Sequence, residues 1–178
     1  MLSWTAALLL VSVGGARSYE SVFTPEKFGA VGDGAHDDTK AVRAALAACV
    51  GAAKPCRALL AKSYASGPLQ ITSDDTDLHI TGTLATLERD RYLPYQNGTG
   101  NFIGNTPGVS KMSITGGGLI TGLGAQWWPC KHTGCWRPHL IGLNNVKGLE
   151  IGPLRMSDPP NHFVESSDSS QVRVHDLQ

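Results

Sequence analysis

Apolar and polar residues alternate in short runs that recur along most of the chain: Leu78 and Ile80 with Leu84, Met112 with Ile114, Leu149 and Ile151 with Leu154, and Val172 and Val174 with Leu177. Each run reads as a strand with one buried face, ended by a glycine or another small break. The runs start 34, 37 and 23 residues apart. The last interval fits one coil of a solenoid, and the first two fit a coil plus a loop. Residues 67–71 and 140–143 supply further strands between them. Upstream the period changes: Ala41, Val42, Ala45, Leu46 and Cys49 fall on one helical stripe, which predicts a helix over 39–49.

A sandwich of hairpins is the competing architecture. The two-residue hairpin signals occur only at Asn97-Gly98 and Asp33-Gly34, neither between two matching strands. Stacked coils account better for glycine-broken strands at coil-length intervals. The expected fold is therefore all-β, a parallel β-helix, with the 39–49 helix covering its first open coil. No capping element follows the last strand, so the stack is expected to be incomplete on its C-terminal side or covered there by a partner.

The stretch before the helix, FGAVGDGAHDDTKAV, carries glycines 29, 32 and 34 and aspartates 33, 37 and 38. Their spacing, GxxGxG, is not the GxGxxG of a dinucleotide turn, and no GK[ST] follows. The aspartates lack the alternation and the terminal glutamate of a calcium loop. Asp37 and Asp38 stand instead where a helix cap belongs, a position worth about 1 kcal/mol, and the glycines serve the turn into the helix.

Composition narrows the setting. With 178 residues, 41% hydrophobic, the chain can enclose one core but hardly two. Residues 1–18 have an apolar run from Trp4 to Val13 and end Ala16-Arg17-Ser18, the pattern of a secretory signal too short to span a bilayer. That leaves residues 19–178 as the expected domain, exported to the extracellular space. Without Arg17 the basic count falls from 15 to 14 against 15 acidic residues, a net charge of about −1. Such a balance offers nothing to nucleic acid, and no later stretch is long and apolar enough for a membrane helix. Six histidines would make the protein cationic in a mildly acidic medium, which suits an acidic polysaccharide.

Four cysteines in an exported chain favour disulfides, and of the three connectivities the two local ones, Cys49 to Cys56 and Cys130 to Cys135, are shortest in sequence. A competing reading takes Cys130, His132, Cys135 and His139 as two thiolates and two imidazoles for zinc, although the spacing is not a usual finger pattern. Asn97-Gly98-Thr99 is a glycosylation sequon.

The blocks FGAVGDGAHDDTKAV, SGPLQI, ITGGGLITGLGAQWW and RPHLIGLNNVKGLEIGPLRMSDPPNHFV resemble, in order, the N-terminal half of polygalacturonases, the pectin-cleaving family 28 glycoside hydrolases. The first block is shared with pectate-lyase-like β-helix proteins; the glycine run ending in Trp127-Trp128, with Arg137-Pro138, is narrower. The resemblance implies a right-handed parallel β-helix and inverting hydrolysis of polygalacturonan by aspartates acting as acid and base. The family carries these acids in Asn-Thr-Asp-Gly and a later Asp-Asp pair, followed by Gly-His-Gly and Arg-Ile-Lys. None of the four motifs occurs in these 178 residues. The chain is accordingly expected to hold no catalytic residue, to use no cofactor, and to be inactive alone.

Other carboxylates read as structural. Asp74 and Asp75 lie in a turn before a strand, Asp158 shapes a proline turn, and Glu165 and Asp168 flank serines in what reads as a loop. Trp127 and Trp128 either stack on sugars or pack beside the Cys130 loop, with packing the simpler reading. His162, on a segment that in the family runs towards the substrate cleft, is the candidate sugar contact. The expected partner is a pectin-like polysaccharide. A non-catalytic polysaccharide-binding β-helix and a pectate-lyase-like protein are the rival readings; the second would need calcium, for which no acid cluster is visible.

Overall fold

The computed structural model of the chain describes residues 17–95 and 100–178. The leader up to Ala16 and the sequon Asn97 lie outside the described residues, as do the side chains of Cys130 and His132.

The chain enters through β1 (Ser21–Phe23), β2 (Asp33–Asp37) and α1 (Thr39–Ala47), then winds in coils of three strands. The first coil holds β3 (Cys56–Leu60), β4 (Ser63–Ser66) and β5 (Leu69–Ile71). The second holds β6 (Thr76–Ile80), β7 (Thr83–Thr86) and β8 (Asn101–Asn105), with the short α2 (Arg89–Tyr92) before β8. The third holds β9 (Ser110–Thr115), β10 (Leu119–Thr121) and β11 (His139–Asn144). The fourth holds β12 (Lys147–Ile151), β13 (Arg155–Ser157) and β14 (Val164–Ser167), and β15 (Ser170–Val174) begins the next. Corresponding strands stack into three sheets: six-stranded β1-β3-β6-β9-β12-β15, five-stranded β13-β10-β7-β4-β2 and four-stranded β14-β11-β8-β5. Every pairing among these strands is parallel. The fold is a parallel β-helix.

Three ladders of inward side chains fill it. Ala58, Leu78, Ile114 and Ile151 stack in the six-stranded sheet; Tyr64, Leu84 and Ile120 in the five-stranded; Leu69, Ile103 and Ile141 in the four-stranded. All of these are fully buried, and each large apolar side chain so buried is worth about 1.5–3 kcal/mol. The sequence repeat sets Leu78 opposite Met112, whereas the structure sets Leu78 opposite Ile114. A slip of two residues leaves every side chain on its original face, so the alternation alone does not separate the two registers.

The breaks after the strands have a definite cause. Gly116 and Gly152, which follow β9 and β12, both sit at φ 118, and a Cβ at either would run into the backbone of an adjoining coil, at Ile80 and His175 respectively.

Helix α1 packs on β3, β4, β5 and the 3-10 turn Pro25–Phe28, burying Val42, Ala45 and Leu46 over the first coil. It ends at Ala47, before Cys49, which is buried and bonded to Cys56 with 5.7 Å between Cα atoms. The two aspartates before the helix divide their roles. Asp37 Oδ1 accepts the Thr39 amide (3.0 Å). Asp38 holds the cap position without a bond to the first-turn amides, because its carboxylate turns back to accept the amides of Val31 (2.8 Å) and Gly32 (3.0 Å). The backbone donors that the glycine turn could offer an anion are thereby taken by the chain's own carboxylate.

A polar ladder crosses the six-stranded sheet. The carboxylate of Asp77 on β6 is fully buried; it accepts Arg57 Nε from β3 and the hydroxyls of Ser113 and Thr115 from β9, each at 2.9 Å. Burial opposes ionisation of Asp77, yet the contacts from His79, Thr115 and Tyr19 and the charge of Arg57 hold its pKa below the ordinary carboxylate value. Among the described residues no helix is long and apolar enough to cross a membrane.

Candidate functional site

The second and third coils are much longer than the first, and in both the added chain lies between the second and third strand, at residues 87–100 and 122–138. Each of these segments leads into a strand of the four-stranded sheet, β8 or β11. They are anchored by Trp127, which is fully buried and meets Tyr92 edge-on at 5.5 Å and Trp136 edge-on at 6.1 Å. Trp127 is thus a packing residue. Trp128 is 46% exposed, and its indole N–H donates to Pro159 O at 2.9 Å. Cys135 in the same loop is disulfide-bonded. That removes it as a thiolate, and with it the zinc reading of residues 130–139.

Against the sheet the second loop borders an open cavity of about 490 Å³, lined among others by Asn101, Trp136, Arg137, His139, Asn144 and Glu165. The residues come from one register level after another. Asn101 on β8 donates from Nδ2 to Gly142 O on β11 (2.9 Å), and any side chain at position 142 would overlap the Asn101 amide. Asn144 donates to Ser167 Oγ on β14 (2.8 Å) and takes up Asn105 from β8 through two bonds of 2.9 Å. Arg137 donates to Pro160 O (2.8 Å) and to Asn161 Oδ1 (3.4 Å). Since a guanidinium carries five N–H donors, it keeps others for a ligand.

Glu165 lies on strand β14, not in a loop as its serine-rich surroundings suggest, and pairs in register with Gly142. Its Oε2 lies 2.8 Å from His139 Nε2 and 3.9 Å from His162 Nδ1. The two imidazoles stack with centroids 4.8 Å apart and planes 21° from parallel. Burial lowers the pKa of His139; the Glu165 charge works against that, while His162 and Arg137 add to it. His162 itself is 67% exposed and stands between this cavity and a more apolar hollow that it lines with Phe163, Val164 and Leu177.

The remaining acids lie elsewhere. Asp74 accepts the Ser110 amide (2.7 Å), Asp75 turns the chain at φ 53 and pairs with Arg17, and Asp158 turns it at φ 48. Asp168, with a left-handed backbone at φ 51, is the exception: its Oδ2 accepts Asn144 Nδ2 at 3.5 Å, at the edge of the cavity. Sequence reasoning passes over Trp136, Arg137, His139 and Glu165 as one site. The available signal was the spacing of RPH and NHFVE, which puts them on neighbouring strands once the coil length is known.

A match to the model of glycosyl hydrolases family 28 covers residues 51–178. The chain belongs to that family. It is 24% identical over 174 residues to a protein named "Probable polygalacturonase" from Arabidopsis thaliana, the match covering 85% of this chain and 36% of that protein. It is 28% identical over 135 residues to endo-xylogalacturonan hydrolase A of Aspergillus tubingensis, covering 74% and 33%. The structure of a family 28 exopolygalacturonase from Yersinia enterocolitica superposes with a TM-score of 0.71 at 18% identity, over 88% of this chain and 38% of that one. The chain spans about a third of the length of the curated relatives it matches. With family and topology agreeing, the fold is the right-handed parallel β-helix of family 28.

Proposed function

We propose that these coils form part of an exported pectin hydrolase and supply the surface on which a uronan chain lies, while the bond-breaking acids are not among these 178 residues. The observation that carries this reading is the cavity over the four-stranded sheet. It combines a guanidinium at Arg137, amides at Asn101, Asn144 and Asn161, an acceptor at Glu165 and an aromatic surface at Trp136. Arginine meets a uronate carboxylate in two-point geometry. The amides and Glu165 suit ring hydroxyls, and an indole suits the apolar face of a sugar. His162, beside the cavity, completes the contact set. The relatives named above act, by their names, on polygalacturonan and xylogalacturonan, which supports a galacturonan backbone as the common ligand.

Turnover by family 28 chemistry needs two carboxylate sets about 6.5–9.5 Å apart across the scissile bond. Glu165 pairs with His139 at 2.8 Å, and among the described residues no second acid lines the cavity itself, Asp168 reaching only its edge through Asn144. Incubation of the chain with polygalacturonate, read by reducing ends, is expected to give no turnover, while calorimetry with oligogalacturonate detects binding. Release of reducing ends would contradict the assignment of the acids, and absence of binding would contradict the surface. Binding without turnover is also what a non-catalytic polysaccharide-binding β-helix would show. The two part when the Asn-Thr-Asp-Gly and Asp-Asp segments of a family member are joined to the chain: hydrolysis then supports the hydrolase reading.

A further inference from the structure

His139, His162 and Glu165 present ligand atoms that all lie within 4.8 Å of one another. For an ion bound at about 2.0–2.2 Å by each of three such ligands, tetrahedral geometry sets the ligand atoms about 3.3–3.6 Å apart. The two measured separations from Glu165 Oε2, 2.8 Å and 3.9 Å, bracket that value. We propose that these three residues form a binding site for a divalent transition-metal ion of the zinc class, with its remaining position open to the cavity.

The fold supplies two ligands on rigid elements, His139 from β11 and Glu165 from β14, on adjacent paired strands. Gly142, the register partner of Glu165, leaves the space above it to the Asn101 amide. His162 is the adjustable ligand. Imidazole lone pairs lie in the ring planes, so the stack must open for both rings to face one ion. His162, at 67% exposure and in the turn before β14, is the ring with room to rotate. Two nitrogens and one carboxylate suit zinc, copper or nickel, whereas calcium and magnesium need a shell of oxygens.

The other histidine–carboxylate contacts do not converge in this way. His175 meets Glu150 through Nε2 and Asp176 through Nδ1, on opposite edges of the ring. His36 meets the carboxylate of Asp33 alone, and His79 that of Asp77 alone. Among the described residues, the group at His139 is the one with three ligands in reach of a common point.

The test is a calorimetric titration of the untagged chain with zinc chloride at neutral pH, repeated with His162→Ala, Glu165→Gln and, as a control, His175→Ala. One ion per chain is expected. Losing even a hydrogen-bonding partner behind a metal ligand costs about 10–100-fold in affinity, so each of the first two variants is expected to weaken binding at least about tenfold. His175→Ala should bind as the parent does, and calcium chloride should give no heat of binding. His162 and Glu165 are 67% and 54% exposed, so both variants should keep the parent's circular dichroism. No zinc binding by the parent, or unchanged affinity in both His162→Ala and Glu165→Gln, would overturn the proposal.

Discussion

Replacing Asp77 by alanine removes the acceptor that ties three successive coils together. Its buried carboxylate takes hydrogen bonds from Arg57 on one side and from Ser113 and Thr115 on the other, all at 2.9 Å. Hydrogen bonds to a charged group contribute about 1.5–3 kcal/mol each, and the cost of desolvating the carboxylate offsets much of their sum. The larger loss comes from stranding Arg57, whose side chain is only 24% exposed. Breaking a buried pair from one side costs about 3–5 kcal/mol, a large share of the 5–15 kcal/mol typical of a domain. Asp77→Asn keeps the volume and one acceptor, and should lose about 1–3 kcal/mol. Urea unfolding followed by circular dichroism measures both. The pH dependence adds a second reading. The folded pKa of Asp77 lies below its ordinary 3.8, so its contribution is complete above about pH 4 and is lost as pH falls through the folded value. The parent should therefore lose stability on acidification that Asp77→Asn has already lost, and the two curves should converge. A loss below about 1 kcal/mol in Asp77→Ala, with parallel pH curves, would refute the assignment of this ladder as a structural tie.

Three further substitutions probe the coil bends and the cavity. Gly116→Ala places a side chain at φ 118 against the Ile80 backbone and should cost about 1–3 kcal/mol in the same urea assay. Trp127→Ala empties the aromatic anchor of both loops and should cost about 3–5 kcal/mol. Arg137→Ala should weaken oligogalacturonate binding at least about tenfold by calorimetry, the loss of one charge-assisted contact, with the far-ultraviolet spectrum unchanged.

The strands of the six-stranded sheet were legible because Leu78, Ile114, Leu149 and Ile151 alternate with polar residues and face one core. Helix α1 was legible from its single apolar stripe. Register was not, since the alternation is indifferent to a shift of two, and the coil loops absorb the difference in length. Strand β14 escaped for a different reason: in VESS only Val164 is partly covered and the rest is exposed, so no buried face marks it as a strand. Its misreading as loop hid Glu165, and with it the partner of His139. That histidine was grouped with Cys130 and Cys135 by nearness in sequence. Three-strand coils bring it instead beside residues 23 and 26 positions further on. The aspartate cap shows the same limit on a smaller scale: sequence locates Asp37 and Asp38 before the helix, but only the path of the glycine turn decides which amides each accepts.

Hydrogen exchange of the chain with and without oligogalacturonate locates directly where a uronan chain rests. Slowed exchange is predicted across β11, β14 and residues 133–138. Slowing confined to the six-stranded sheet, or no change with saturating ligand, would contradict the cavity over the four-stranded sheet as the binding surface.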